Sequence, residues 1–198
     1  MVAARMGARF DQEEGQTFVE MITTMAMLSF VMAAVAALFV SGLHAQTDMD
    51  QRFQAQQNAR LALTSMRSEI RNSCVAPVVY STAASATPLA AGVYGGKVTL
   101  ASACSGGVAT SNVTWCADSS TGAAPFGLYR QTGTACAYNN GVKRADQLKT
   151  TSVFALSTTS GRRPMLALSF PVDANLSTAN GVYTLNDTVM ARNSAATP

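Results

Sequence analysis

The chain has 198 residues and a formal net charge of +3, enough for one domain or for one domain with an appendage. Hydrophobic residues make up 48% of it and charged residues only 13%, so the composition excludes a disordered chain. The single histidine, His44, excludes a catalytic triad or a metal cage built on several imidazoles, and the small basic excess lacks the stripe typical of a nucleic-acid binder.

Residues that break helices are confined to the later part of the chain. All six prolines lie at or after Pro77, and eleven of the fourteen glycines lie at or after Gly92. Because proline breaks a helix and glycine weakens it, the first 76 residues permit one very long helix and the remainder does not. We therefore predict a boundary between residues 72 and 77.

The first predicted element contains a long apolar segment, residues 18–43, in which Glu20 is the only charged residue. A membrane-spanning helix needs about 20 apolar residues, so this segment is long enough to cross a bilayer. It is also longer than the 7–15 residues typical of the apolar region in a secretory signal. Arg5 and Arg9 precede it and favour a cytoplasmic N-terminus, with the C-terminal part outside.

A short motif surrounds Glu20: residues 14–21 read EGQTFVEM. This string resembles the processing motif of type IV pilins and pseudopilins, in which a hydrophilic leader ends in glycine and the mature chain carries a glutamate at its fifth position. Residues 1–15 would be the leader. In this alignment Gly15 ends the leader, Gln16 is the new N-terminus, Thr17 and Phe18 follow it, and Glu20 stands at the fifth position.

The resemblance implies that a prepilin peptidase cuts after Gly15 on the cytoplasmic face and methylates the amine of Gln16. It also implies that Glu20 pairs with the N-terminal amine of a neighbouring subunit, which would neutralise two charges in an apolar setting. The alternative is that the Glu20 carboxylate merely reaches water at the membrane surface. Gln16 and Phe18 stand where the family usually has Phe and Leu, and Ala37 where many major pilins have proline; these departures favour a minor subunit.

The second half of the predicted helix, up to residue 72, is polar with an apolar stripe that we expect to pack on the following domain. Residues 59–71, ARLALTSMRSEIR, are similar to a string found in minor pilins and pseudopilins of the J/W-like group. The predicted stripe consists of Met49, Phe53, Gln56, Ala59, Leu63, Met66 and Ile70.

Residues 73–198 show short strand patterns separated by turn residues, which predicts an α+β fold with the long helix on an antiparallel sheet. Residues 81–91 are expected to be a loop, and residues 191–198 a frayed tail. The predicted strands cover residues 96–100, 112–116, 127–130, 152–156, 165–170 and 181–185.

The four cysteines follow no C-x-x-C spacing, so structural zinc is not favoured over disulfides. Disulfides persist outside the cytoplasm, where the predicted topology places this region. We favour Cys116–Cys136, across two strands joined by a loop, which leaves Cys74–Cys104 to tie the helix end to the sheet. Free buried thiols are the alternative.

Catalysis finds little support in the sequence, and no enzyme activity, metal or cofactor is expected. The four carboxylates after residue 73 fit turn and surface positions: Asp118, Asp146, Asp173 and Asp187. A loose basic group supports DNA contact only weakly, because no aromatic residues are interleaved with it. This group is Lys143, Arg144, Lys149, Arg162 and Arg163.

The sequence therefore predicts a bacterial membrane protein with a single span, residues about 18–43 within a helix over 16–72, and an exported domain over 73–198. After processing it would leave the lipid and pack with other pilin or pseudopilin subunits through its helix, in a surface or periplasmic filament. The runner-up is an anchored, exported binding module that never assembles. A secreted protein cut after residues 43–45 and an anchored enzyme are less favoured.

Overall fold

The computed structural model describes residues 17–105, 107–159, 161–173 and 182–194. These residues form one long helix and an antiparallel sheet, which confirms the expected α+β class. The elements are α1 (Phe18–Asn72), β1 (Val78–Tyr80), β2 (Tyr94–Gly95), β3 (Lys97–Ser105), β4 (Val108–Asp118), β5 (Phe126–Thr132), β6 (Val142–Leu148), β7 (Phe154–Ser157), β8 (Met165–Val172) and β9 (Tyr183–Met190).

Helix α1 runs for 55 residues because no proline interrupts it. It begins where the N–H of Glu20 donates to the carbonyl of Thr17 (2.9 Å). The chain divides into two compact units, residues 1–46 and 47–198. The helix itself ends at Asn72, at the boundary predicted between residues 72 and 77. The second half of α1 belongs with the sheet because one of its faces is part of the sheet's core.

The strands of the second unit follow the order β1-β3-β4-β5-β6-β8-β7-β2, with β9 paired to the other edge of β8. Every pair is antiparallel. Only Gly96 separates β2 from β3. The continuous segment of β2 and β3 therefore pairs with β7 through β2 and with β1 and β4 through β3. Gly95 meets β1 so closely that a Cβ there would lie 2.1 Å from the carbonyl oxygen of Tyr80.

The core of this unit lies between the sheet and the second half of α1. Three of the six buried helix residues are alanines. The large side chains buried from the sheet include Trp115, Phe154 and Phe170. The buried residues of α1 are Ala55, Ala59, Ala62, Leu63, Met66 and Ile70.

The predicted apolar stripe was therefore right at its C-terminal end and wrong at its start. Met49 is 68% exposed and Phe53 is 60% exposed, because the sheet's core covers α1 only from Ala55 onward.

All six predicted strands are present, but three further strands were not predicted. β1 and β2 have three and two residues, too few for a pattern to be visible. β6 reads VKRADQL, which has no alternation of polar and apolar residues. The strand is also irregular, because Gln147 adopts a positive φ of 62° and the β5–β6 register shifts. Residues 81–91 are irregular, as expected.

The predicted frayed tail was wrong over its described part. Ala191 is buried, and its N–H donates to the carbonyl of Pro164 (3.0 Å). Ser194 is buried too, and its hydroxyl donates to the carbonyl of Ala191 (2.8 Å). The chain therefore remains packed on the domain at Ala191 and Ser194 after β9 ends.

Candidate functional site: the uncovered half of the helix

The first half of α1 presents apolar side chains on all sides. No residue of α1 before Ala55 is buried. An 18-residue window reaches a mean hydropathy of 2.2, so by length and composition the helix is a candidate membrane span. The bulkiest exposed side chains of this half include Phe18, Met25, Phe30, Leu38 and Phe39.

Polar residues in this half satisfy their hydroxyl groups within the helix. Thr23 donates to the carbonyl of Glu20 (2.9 Å), Thr24 to that of Met21 (2.9 Å), and Ser29 to that of Ala26 (2.7 Å). Such bonds to the preceding turn allow hydroxyl side chains to face an apolar medium at little cost.

Glu20 differs from these hydroxyl residues. It lies exposed in the first turn of α1, where the unpaired N–H groups of a helix favour a negative charge. Among the residues the structure describes, its carboxylate forms no ion pair. Thr17 and Phe18 are exposed beside it, whereas Gly15 and Gln16 lie outside the described residues. The described part of the motif thus places one acid at the start of an uncovered apolar helix.

A second acid of α1 is bound on both of its oxygens. The Glu69 carboxylate accepts a hydrogen bond from Trp115 Nε1 (2.6 Å) and another from Arg130 Nε (2.6 Å). Trp115 lies on β4 and Arg130 opposite it on β5, so Glu69 fixes the helix to two neighbouring strands. Sequence reasoning missed this contact, although Glu69 directly precedes the buried Ile70 and so had to lie beside the core.

Two arginines of α1 contact β9. Arg67 Nε donates to Asp187 (2.5 Å), and this hydrogen bond together with the charge of Asp187 raises the pKa of Arg67. Arg60 donates to the Tyr183 hydroxyl (3.2 Å) and lies over its ring. The expectation that Asp187 is a turn or surface residue was wrong, because it lies within β9 and pairs with the helix.

The four cysteines are paired as the sequence predicted. Cys74–Cys104 joins the residue two positions after α1 to β3, with the Cα atoms 6.3 Å apart. Cys116–Cys136 joins β4 to the loop after β5, with the Cα atoms 6.0 Å apart. Both bridges therefore crosslink the second unit.

The remaining charged residues do not gather into a reactive centre. Among the described residues, no three His, Cys, Asp or Glu side chains lie close enough together to hold a metal ion. Asp118, expected in a turn or at the surface, is the last residue of β4 and accepts hydrogen bonds from the N–H groups of Ser119 and Tyr138. Asp173, expected at the surface, is buried instead. Asp146 pairs with Lys143 (3.3 Å) near the surface.

The loose basic group is spread over the sheet. The N–H of Lys149 donates to Pro171 near the end of β8, whereas Arg162 and Arg163 precede the start of that strand. Eight strand residues span about 25 Å, so the two ends form no common basic patch.

Another lysine, Lys97, is buried; it donates to the Ser85 carbonyl and faces the Tyr80 ring, and burial lowers its pKa.

Comparison of the chain with protein-family models, with curated proteins and with solved structures found no match in any of the three.

Proposed function

We propose that the chain is a structural subunit of a type IV pilus-like filament, a minor pilin or pseudopilin. The observation that carries the proposal is the contrast along α1: an uncovered apolar half with an acid in its first turn, joined to a half that is built into a β-sheet domain. A filament held together by packed apolar helices needs a subunit of this kind.

The processing chemistry follows from the EGQTFVEM motif at residues 14–21. Prepilin peptidase cleaves after Gly15, where the absence of a side chain lets the enzyme approach the backbone. Methylation of the Gln16 amine completes the mature N-terminus. Before assembly the apolar half of α1 lies in the bacterial cell membrane, with the disulfide-bonded domain outside.

Assembly then replaces lipid around the apolar half with the helices of other pilin or pseudopilin subunits. In this setting the Glu20 carboxylate pairs with the Gln16 amine of a neighbouring subunit, since an acid removed from water needs a partner. Thr17 and Phe18 lie between these two charges in the sequence and take part in the same contact. The spread of the basic residues gives no support to a DNA interface.

The second candidate is an exported binding module that stays anchored by an uncleaved helix. The same uncovered segment favours it, because an apolar helix serves equally well as a permanent anchor. The two candidates differ in whether Gly15 is a processing site.

The mass of the protein purified from membranes of its native host separates the two candidates. We expect a chain that begins at a methylated Gln16, and we expect Gly15→Val to accumulate at precursor mass. Gly7→Val is the matched control, because it alters a leader glycine away from the cleavage point and should be processed normally. An intact N-terminus on the wild-type chain would support the anchor, and a chain beginning at Gln46 would support secretion.

A further inference from the structure

We infer that the outer edge of β9 binds the same edge of a second copy of this chain, so that two sheets join through an antiparallel β9–β9 pair. This inference concerns the sheet domain alone and does not depend on the processing or assembly of the helix. It rests on the direction of the backbone N–H and C=O groups of β9 and on the exposure of its residues.

The hydrogen-bond pattern shows which residues of β9 face outward. The N–H of Ala191 donates to the carbonyl of Pro164, which lies opposite it just before β8. In an antiparallel ladder such hydrogen-bonded pairs recur at every second residue. Odd-numbered residues of β9 therefore point their N–H and C=O groups toward β8. On the far side of β8 the N–H of Ser169 donates to Val153, in agreement with this alternation.

The even-numbered residues consequently point their backbone groups away from β8. Among the described residues, no strand pairs with this side of β9. The same four residues are also exposed in their side chains, so nothing in the described chain shields the row of donors and acceptors. They are Thr184, Asn186, Thr188 and Met190.

Natural edge strands prevent strand addition by being short or bulged, or by carrying outward lysine, proline or inward-pointing charges. Of these features β9 has only one, the charge of Asp187. β9 is eight residues long, pairs with β8 without a register shift, and contains neither lysine nor proline. Its only carboxylate, Asp187, is already bound to Arg67.

An identical strand is the occupant that this edge fits best. Two copies of one edge satisfy each other through a two-fold axis, and the contact closes without a second surface. Centring the pair on Asn186 places Thr184 opposite Thr188 and gives about six main-chain hydrogen bonds. Centring it on Asp187 would place two carboxylates opposite each other, which disfavours that register.

Cysteine cross-linking of the full chain in detergent tests the arrangement, since the native cysteines are already paired. In the inferred register two Asn186→Cys residues would have Cα atoms about 5.5 Å apart, within disulfide range. We expect a covalent dimer under mild oxidation. Thr110→Cys, on an exposed position of β4, is the matched control and should stay monomeric.

A second measurement uses the mass in solution. Thr188→Pro removes an outward N–H without touching the β8 ladder and should weaken dimerisation about tenfold or more. Thr188→Lys should also weaken dimerisation, and it keeps the backbone N–H. It therefore tests the inference even if the proline variant fails to fold. Equal cross-linking at residues 110 and 186, a wild-type chain that stays monomeric, or cross-linking of residue 186 to a different protein in native membranes would each overturn the inference.

Discussion

The two halves of α1 form one continuous helix but differ in whether the chain covers their apolar surface. The first half is apolar on every side and buries none of its residues. The second half is mostly polar and buries one narrow face of small and apolar residues beneath a sheet supplied by the same chain. Because burial of apolar surface is the main stabilising contribution in folding, the first half needs a cover that the described part of the chain does not supply. A membrane is one such cover, and in the proposed filament other helices are another.

Each half also carries an acid, and the two acids show the same contrast. Glu69 is bound by Trp115 and Arg130, both at 2.6 Å, so its interactions are complete within the fold. Glu20 has no ion pair among the described residues. An acid at the start of an uncovered apolar segment is costly to retain without a role, and the proposed function gives Glu20 a partner on a neighbouring subunit.

The largest expected effect concerns Glu20 and rests on the proposed function. Glu20→Ala should be cleaved and inserted normally but enter filaments poorly, because the N-terminal amine of the neighbour loses its partner. Breaking a buried ion pair typically costs about 3–5 kcal/mol, which corresponds to incorporation reduced by more than 100-fold. Co-purification of the variant with the other filament subunits measures this.

Thr23→Ala is the control for that experiment, since its hydroxyl bonds only within the helix. It should be incorporated like the wild type. If Glu20→Ala is also incorporated at the wild-type level, the pairing role is wrong and Glu20 lies idle at the membrane surface.

The next effect compares two methionines of the same helix. Met66 is fully buried in the sheet domain, and Met25 is 60% exposed in the uncovered half. Met66→Ala should lower the free energy of unfolding of the sheet domain by about 2–5 kcal/mol, because it removes core contacts and leaves a cavity. Met25→Ala should leave that free energy unchanged.

Urea unfolding of the full chain in mild detergent, followed by the fluorescence of the buried Trp115, measures both variants. Equal destabilisation of the sheet domain by Met25→Ala and Met66→Ala would contradict the difference between the two halves of α1.

The features that the sequence predicted are those that depend on local pattern. The absence of proline before Pro77 predicted the uninterrupted helix. The sequence of residues 165–170 predicted β8, in which the structure buries every second residue. The cysteine pairs were also predicted, because a strand–loop–strand unit brings Cys116 near Cys136.

The features that were missed depend on contacts between distant segments. β6 is a strand only because β5 and β8 hold it, since its own sequence carries three charged residues and no alternation. Met49 and Phe53 have the right spacing for a buried stripe, but spacing cannot show where the covering sheet ends. The Glu69 contact joins residues 46 and 61 positions apart, which no local pattern encodes.

The smallest expected effect is the loss of stability on removing the Glu69 contact, compared with the loss on removing a surface ion pair of the same helix. Glu69 and Arg130 have side chains 22% and 25% exposed, whereas Asp48 and Arg52 are 36% and 33% exposed. Glu69→Gln keeps one acceptor oxygen but leaves the charge of Arg130 unpaired, so we expect a loss of about 2 kcal/mol in the free energy of unfolding.

Asp48→Asn is the matched control, because it removes the charge of a more exposed i,i+4 pair on the same helix. Such pairs contribute only about 0.3–0.5 kcal/mol and are screened by salt. Urea unfolding at low and high salt should therefore show a loss for Glu69→Gln that salt reduces little, and a small loss for Asp48→Asn that salt removes. Equal losses for the two variants would mean that Glu69 adds no more than a surface charge to the attachment of α1.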